Sequence, residues 1–235
     1  MDLRFCDLSL TAPEKKISPS QFRHIVASHA GEAGIDPVLF NYRDENHTMN
    51  IKPRFQFDRD NTGRLHIFGF GDAAVAHLRK ESCKVVEVIE KHFGTTVSEN
   101  FNVRDYKIGI ALAEYYVPLL VFQEALADHA RFAEACKKGV VTPGLTSFVE
   151  RKIERSLREF CRISGLDQEL ENDVMIGDVR LSSKFVPIQV RPGVFFLGNK
   201  DVRFSSNLDI EGPIFVGHLT SRGFGKMLRT GRGRA

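Results

Sequence analysis

Residues 54–93 read RFQFDRDNTGRLHIFGFGDAAVAHLRKESCKVVEVIEKHF. Arg54-Phe55-Gln56-Phe57-Asp58 alternates with a period of two, the side-chain repeat of a strand. The polar turn Asp58–Gly63 leads into a second strand, Leu65–Phe70, so the pair is expected to form a hairpin. Asp72 reads as an N-cap. After it Val75, Leu78, Ser82, Val85, Ile89 and Phe93 recur at spacings of three and four, one face of a long helix. On the N-terminal side, Leu3–Leu10 alternates as a strand. Ser18-Pro19-Ser20 then starts a helix with Ser as cap and Pro in the first turn, running to Gly31–Gly34 with Phe22, Ile25 and Val26 as its apolar positions. On the C-terminal side a strand lies within Asn102–Ala111. The order β-α-β-β-α-β predicts a ferredoxin-like unit, a four-stranded antiparallel sheet with helices on one face.

The second half opens with the apolar strand Tyr115–Val121, then helices over about Gln123–Lys138 and Thr146–Ser164. Strands follow at Val174–Arg180, Phe185–Val190, Val194–Phe196 and Leu208–Val216. The fold class expected is therefore α+β: two tandem ferredoxin-like domains, residues 1–112 and 113–235. In the second, degenerate one, strands and a glycine-rich loop replace the last helix. No low-complexity linker separates the halves, so they are expected to pack tightly.

Composition narrows the function classes. In 235 residues, 42% hydrophobic and 27% charged content suits a globule with a core. The 19 Phe exclude disorder as the main state. No apolar run approaches the ~20 residues of a membrane span. Asp2, Arg4 and Asp7 interrupt the first ten residues, so no signal-peptide core is expected there, and the default compartment is cytoplasmic. Cys6, Cys83, Cys136 and Cys161 form no CxxC pair, which argues against a structural zinc site or a disulfide framework. The net charge of +3 is small, but residues 212–235 hold no Asp or Glu beside Arg222, Lys226, Arg229, Arg232 and Arg234. A basic, glycine-rich terminus fits an anionic partner, or else is a frayed, solvated tail.

Several constellations carry chemistry. In Gly217-His218-Leu219-Thr220-Ser221-Arg222-Gly223-Phe224-Gly225-Lys226, close glycines let backbone N–H groups approach phosphates while Arg222 and Lys226 add charge. The alternative is a turn between strands. It is not a P-loop, because Met227 stands where Ser or Thr should bind magnesium. Arg151, Arg155, Arg158 and Arg162 share one helix face at i, i+4, i+7 and i+11, a pattern for phosphate contacts rather than for an ordinary mixed-sign solvated face. Gly69-Phe70-Gly71-Asp72-Ala73-Ala74 matches GxGxxA, which raises a nucleotide-cofactor enzyme. Asp72 would sit where the pyrophosphate lies, so a tight strand-to-helix turn fits better. None of the eight His shows metal spacing beside a carboxylate, and no cofactor is expected.

Taken in order, these segments resemble the CRISPR-associated endoribonucleases that cut repeat RNA, most closely the branch of subtype I-B systems. Val38-Leu-Phe-Asn-Tyr-Arg, Lys52-Pro-Arg-Phe-Gln-Phe and Leu65-His-Ile-Phe-Gly-Phe-Gly-Asp-Ala-Ala resemble the family's loop, strand and "GIGEGA"-like turn. Tyr115-Tyr-Val-Pro-Leu-Leu and Phe148–Gly165 resemble its aliphatic strand and long helix. Val216-Gly-His-Leu-Thr-Ser-Arg-Gly-Phe-Gly resembles its "SRGFG" loop, the most specific match.

The resemblance implies two ferredoxin-like domains, with repeat RNA gripped by the arginine helix and by Gly217, His218, Ser221, Arg222, Gly223, Gly225 and Lys226. It implies metal-free cleavage by the RNA's own 2′-OH. Other CRISPR effector subunits and a second copy of the chain are further expected partners. That branch carries two histidines after the first helix where this chain has Phe40 and Tyr42. The catalytic candidates are therefore His47 as base, Tyr42 assisting, and His29 in reserve, with His24 also on the first helix. The alternative is a non-cleaving guide-RNA-binding module.

Overall fold

The structure, a computed structural model, describes residues 2–11, 17–40, 55–123, 125–164, 166 and 168–232. The first half runs β1 (Asp2–Leu10), α1 (Pro19–Ser28), α2 (Ala30–Ala33), β2 (Phe55–Arg59), β3 (Leu65–Phe70), α3 (Asp72–Phe93) and β4 (Glu99–Val121). The second adds α4 (Leu126–Lys137), α5 (Pro143–Ile163), α6 (Gln168–Asn172), β5 (Ile176–Arg180), β6 (Phe185–Arg191), β7 (Val194–Ile210), β8 (Ile214–Phe215) and β9 (Lys226–Arg232). The chain is α+β, two tandem ferredoxin-like units built on one antiparallel sheet in the order β2-β3-β1-β4-β7-β5.

Local signals explain the first unit. Ser18 Oγ accepts from the Gln21 N–H while Gln21 Oε1 accepts from the Ser18 N–H, a reciprocal cap that fixes the start of α1. The hairpin falls where the alternation places it. At α3 the N-cap is Gly71, at φ +84°, and Asp72 is the first helical residue rather than the cap. Its carboxylate still lies in the first turn, favourable against the helix dipole.

The largest departure is β4. The sequence suggested two strands, 102–111 and 115–121, but the structure has one of 23 residues. Its first part pairs with β1 through Glu99–Lys107, and the rest pairs with β7 from Ile108 to Val121. A register shift between Ile110 and Ala113 absorbs the irregularity without breaking the strand, because Leu112-Ala113-Glu114 offers no Gly or Pro to stop it. β7 likewise joins two predicted pieces across a polar middle, and the predicted Leu208–Val216 splits at Glu211–Pro213. The terminal basic stretch is neither a loose tail nor an open arm over Lys226–Arg232. It is β9, paired with β4 and β8.

One core cluster lies between α1, α3 and the sheet, with Phe22, Phe57, Ile67, Leu78 and Val85 fully buried. The other packs α5 residues Val149, Ile153 and Leu157 against Tyr115, Val117 and Phe204. This second core also takes Phe5, Phe68 and Phe70 from the far face of the first sheet. Phe70 meets Phe160 at 5.4 Å and Phe68 meets Phe215 at 6.1 Å. Both faces of β2–β3 are thus covered, which buries Gln56 and Asp58 and brings the glycine loop against α1. No helix among the described residues is long and apolar enough to cross a membrane.

Candidate nucleic-acid interface

The loop after β8 is held from within. The Gly217 N–H donates to Ser156 Oγ on α5 at 2.9 Å, and the His218 N–H to Val121 O at 2.7 Å. The Gly223 N–H donates to Thr220 O at 3.1 Å and the Gly225 N–H to Leu119 O at 2.9 Å. The N–H groups of Gly217, His218, Arg222, Gly223 and Gly225 are thus taken up by the protein itself. Side chains of the loop are also engaged: Arg222 Nη1 donates to Val190 O at 3.2 Å, Lys226 forms an ion pair with the buried Asp58 carboxylate, and Ser221 is buried. The His218 ring lies 5.4 Å from Phe196. Gly223, at φ +83°, sits so close to α1 that a Cβ there would meet Pro19 Cβ at 2.5 Å and Phe57 O at 2.9 Å. The loop therefore clasps the second unit to the N-terminal end of α1.

The arginine face of α5 divides in two. Arg151, Arg155 and Arg162 are exposed. Arg162 Nη2 lies 3.8 Å from Glu159 Oε1. Arg158 is committed elsewhere. Its guanidinium pairs with Glu154 at 2.8 Å and donates to the carbonyls of Glu171, Asn172 and Val174, tying α6 and the approach to β5 onto α5. The spacing brought four arginines to one face, and the fold recruits one of them as a brace. Ser156, one residue after Arg155, joins this helix to the glycine loop, so the helix and loop form one unit.

If Arg151, Arg155 and Arg162 contact phosphates, reversing all three to Glu is expected to lower the log–log salt slope of RNA affinity by about 2, at roughly 0.7 per contact for single strands. Fluorescence anisotropy across a KCl series checks this, and an unchanged slope would assign the face to solvent.

Of the acid–base candidates, only those on the first helix fall among the described residues. Tyr42 and His47 lie outside the described residues, as does the rest of the stretch 41–54. His29 caps the C-terminal end of α1, with Nδ1 2.9 Å from Ile25 O and its ring edge-on to His92 at 5.7 Å. The ten residues of α1 place it roughly 15 Å from the Pro19 end where the glycine loop docks. Phe40 is 2% exposed and stacks on Phe57 at 6.2 Å, a core residue. Sequence reading missed Arg23. It is buried on α1 and donates from Nη2 to Phe40 O at 2.8 Å, fixing the chain where it enters the candidate loop. A charged residue among Phe22, Ile25 and Val26 was the available signal.

His66, on β3, lies between two carboxylates. Its Nδ1 lies 2.9 Å from Asp7 Oδ1 and its Nε2 3.4 Å from Asp60 Oδ2. Burial works against its charge, but hydrogen bonds and charge from both carboxylates outweigh burial and hold its pKa above the ordinary histidine value. With the folded pKa above the unfolded ~6.5, its stabilisation is complete below ~6.5 and is lost as pH rises through the raised value. Urea midpoints measured against pH should therefore fall more steeply above ~6.5 in wild type than in His66→Gln. Parallel curves would show that the two carboxylates do not stabilise the imidazolium.

The described residues hold no group of three or more His, Cys, Asp or Glu able to bind a metal. Comparison with known proteins supplies the context for this geometry. A family model described as the type IV CRISPR-associated endonuclease Csf5 matches residues 3–231. The chain belongs to that family.

The Csf5 family lies among the repeat-RNA-processing endoribonucleases that the sequence motifs resemble, and its model is that of the type IV branch. A solved structure titled Csf5, CRISPR-Cas type IV Cas6 crRNA endonuclease, is 18% identical with a TM-score of 0.65, over 97% of this chain and 99% of that one. A crystal structure of Cas6b is also 18% identical, with a TM-score of 0.66 over 98% of this chain and 100% of that one. At this identity the two structures show a shared fold. A search of curated proteins finds no match.

Proposed function

We propose that this Csf5-family chain is a metal-independent endoribonuclease that cuts CRISPR repeat RNA to give guide RNAs. The observation that carries the proposal is the family match over residues 3–231, which spans both units. The geometry supports it: exposed Arg151 and Arg155 on a helix tied through Ser156 to a loop that docks on α1.

In the reaction, the 2′-OH beside the scissile bond attacks its own phosphate. His47 takes the 2′ proton, the 5′ oxygen leaves with a proton supplied by an acid such as Tyr42, and a cation stabilises the phosphorane. The ends formed are a 2′,3′-cyclic phosphate and a 5′-OH. The substrate supplies its own nucleophile, so the chemistry requires no metal hydroxide. Arg151, Arg155 and Arg162 would hold phosphates. Arg158, Gly217, Gly223 and Gly225 would shape the interface from behind, with Ser221, His218, Arg222 and Lys226 beside it.

Incubating the protein with 5′-labelled repeat RNA in EDTA tests this. Cleavage with cyclic-phosphate ends is expected, whereas products ending in 3′-OH, or cutting only with added divalent cation, would overturn the mechanism. The second reading, a guide-RNA holder that does not cut, is favoured by one observation: Phe40 is a core residue at a position where the resembled branch carries a histidine. It prevails if RNA binds and no product forms.

A further inference from the structure

The sheet of the second unit has one face packed on α5 and another turned to solvent. A single row of cross-strand neighbours runs over the solvent face. Arg180 on β5 lies opposite Arg203 on β7, Arg203 opposite Tyr116 on β4, and Tyr116 opposite Leu228 on β9. Three inter-strand steps of ~4.8 Å give a row roughly 14 Å long. Arg180, Arg203 and Leu228 are exposed, and the Arg203 guanidinium lies over the Tyr116 ring at 5.4 Å.

Like charges directly opposite each other weaken a sheet. No carboxylate among the described residues pairs with Arg180 or Arg203, and the one at the edge of the row, Asp201, is balanced by Lys184. Asp201 accepts from the Tyr116 hydroxyl at 2.6 Å and pairs with Lys184 at 3.0 Å, and Asp178 faces Ser205 Oγ at 3.4 Å. The Arg180–Arg203 repulsion thus stands at a cost that an anion laid over the row would remove. The rest of the row identifies the kind of anion. A guanidinium stacked on a tyrosine, continued by an exposed leucine, presents flat and apolar surface to a ligand that has flat faces between its charges.

We propose that this open sheet face binds single-stranded RNA, with phosphates on Arg180 and Arg203 and bases on the Arg203–Tyr116 stack and Leu228. The site lies on the opposite face of the sheet from α5 and is independent of the cleavage reading. An acidic protein segment would satisfy the arginines but make no use of the stack.

The test uses the full chain and a fluorescein-labelled twelve-residue oligouridylate, which has no stem to cut. Arg180→Ala/Arg203→Ala is expected to weaken binding at least tenfold and to lower the log–log salt slope by about 1.4, two contacts at ~0.7 each. Arg203→Lys is expected to keep the slope yet bind about fivefold more weakly, because the ammonium keeps the charge without the stacking plane. A 4-thiouridine version of the same RNA should crosslink at Tyr116 or Leu228. A double variant that melts like wild type and binds the oligouridylate with the same affinity and slope overturns the proposal. Arginine-dependent binding of polyglutamate that fully displaces the RNA overturns it too, and reassigns the face to an acidic protein. A protein that never cuts repeat RNA would still show the oligouridylate effect, so the two readings fail separately.

Discussion

Gly225→Ala is expected to destabilise the protein by about 2–5 kcal/mol, adding ~1–2 kcal/mol for a side chain in the left-handed region to the ~1–3 kcal/mol of overpacking. Gly225 has φ +78°, and a Cβ there would lie 1.8 Å from Val216 O. The clash is with backbone, and the backbone has nowhere to go. The Gly225 N–H is held by Leu119 O, and the Gly225 carbonyl accepts from the Val216 N–H. Relief means breaking the β8–β9 connection. The melting temperature should fall by roughly 4–20 °C for a chain of this size. Gly223→Val should also lose stability, because the added side chain forces the loop off Pro19. A Gly225→Ala protein that melts and binds RNA like wild type would show that the loop re-forms freely and that its glycines serve no packing role.

His47→Ala is expected to slow single-turnover cleavage of repeat RNA by about 10²–10⁴ while leaving RNA affinity near wild type, the loss typical of one acid–base group. A histidine must be neutral to take the 2′ proton, so the wild-type rate should climb as rising pH deprotonates the base and then level off. Tyr42→Phe should cost less, since a phenol with an ordinary pKa of ~10 assists by hydrogen bonding or proton donation. His29→Ala should barely register, given its place at the far end of α1. Cleavage by His47→Ala at the wild-type rate removes His47 from the mechanism and returns the search to the rest of the stretch 41–54.

The first unit was legible because its signals are local. A Ser-Pro cap, a period-two hairpin and a helix with apolar residues every three or four positions each act over a few residues. What stayed hidden depends on contacts distant in sequence. Lys226–Arg232 carries arginine and glycine where strands favour branched and aromatic residues. It becomes a strand because Tyr115 and Tyr116, more than a hundred positions earlier, offer it an edge. The middle of β7 is polar, and partners on both sides keep it extended. Spacing alone put Arg158 with its three neighbours on α5, but only the carbonyls of Glu171, Asn172 and Val174 decide that it serves as a brace. The glycine loop was recognisable as a motif, whereas its N–H partners, Ser156 and Leu119, lie 61 and 106 residues away in the chain.

The shared strand β4 has a mechanical consequence. It is a beam clamped by β1 along its first part and by β7 along the remainder, with an interlocked core on its underside. Flexing one unit against the other would shear ladder hydrogen bonds rather than turn a hinge. The register shift between Ile110 and Ala113, where the two clamped parts meet, is the one place along the beam where bending would break the fewest of these bonds.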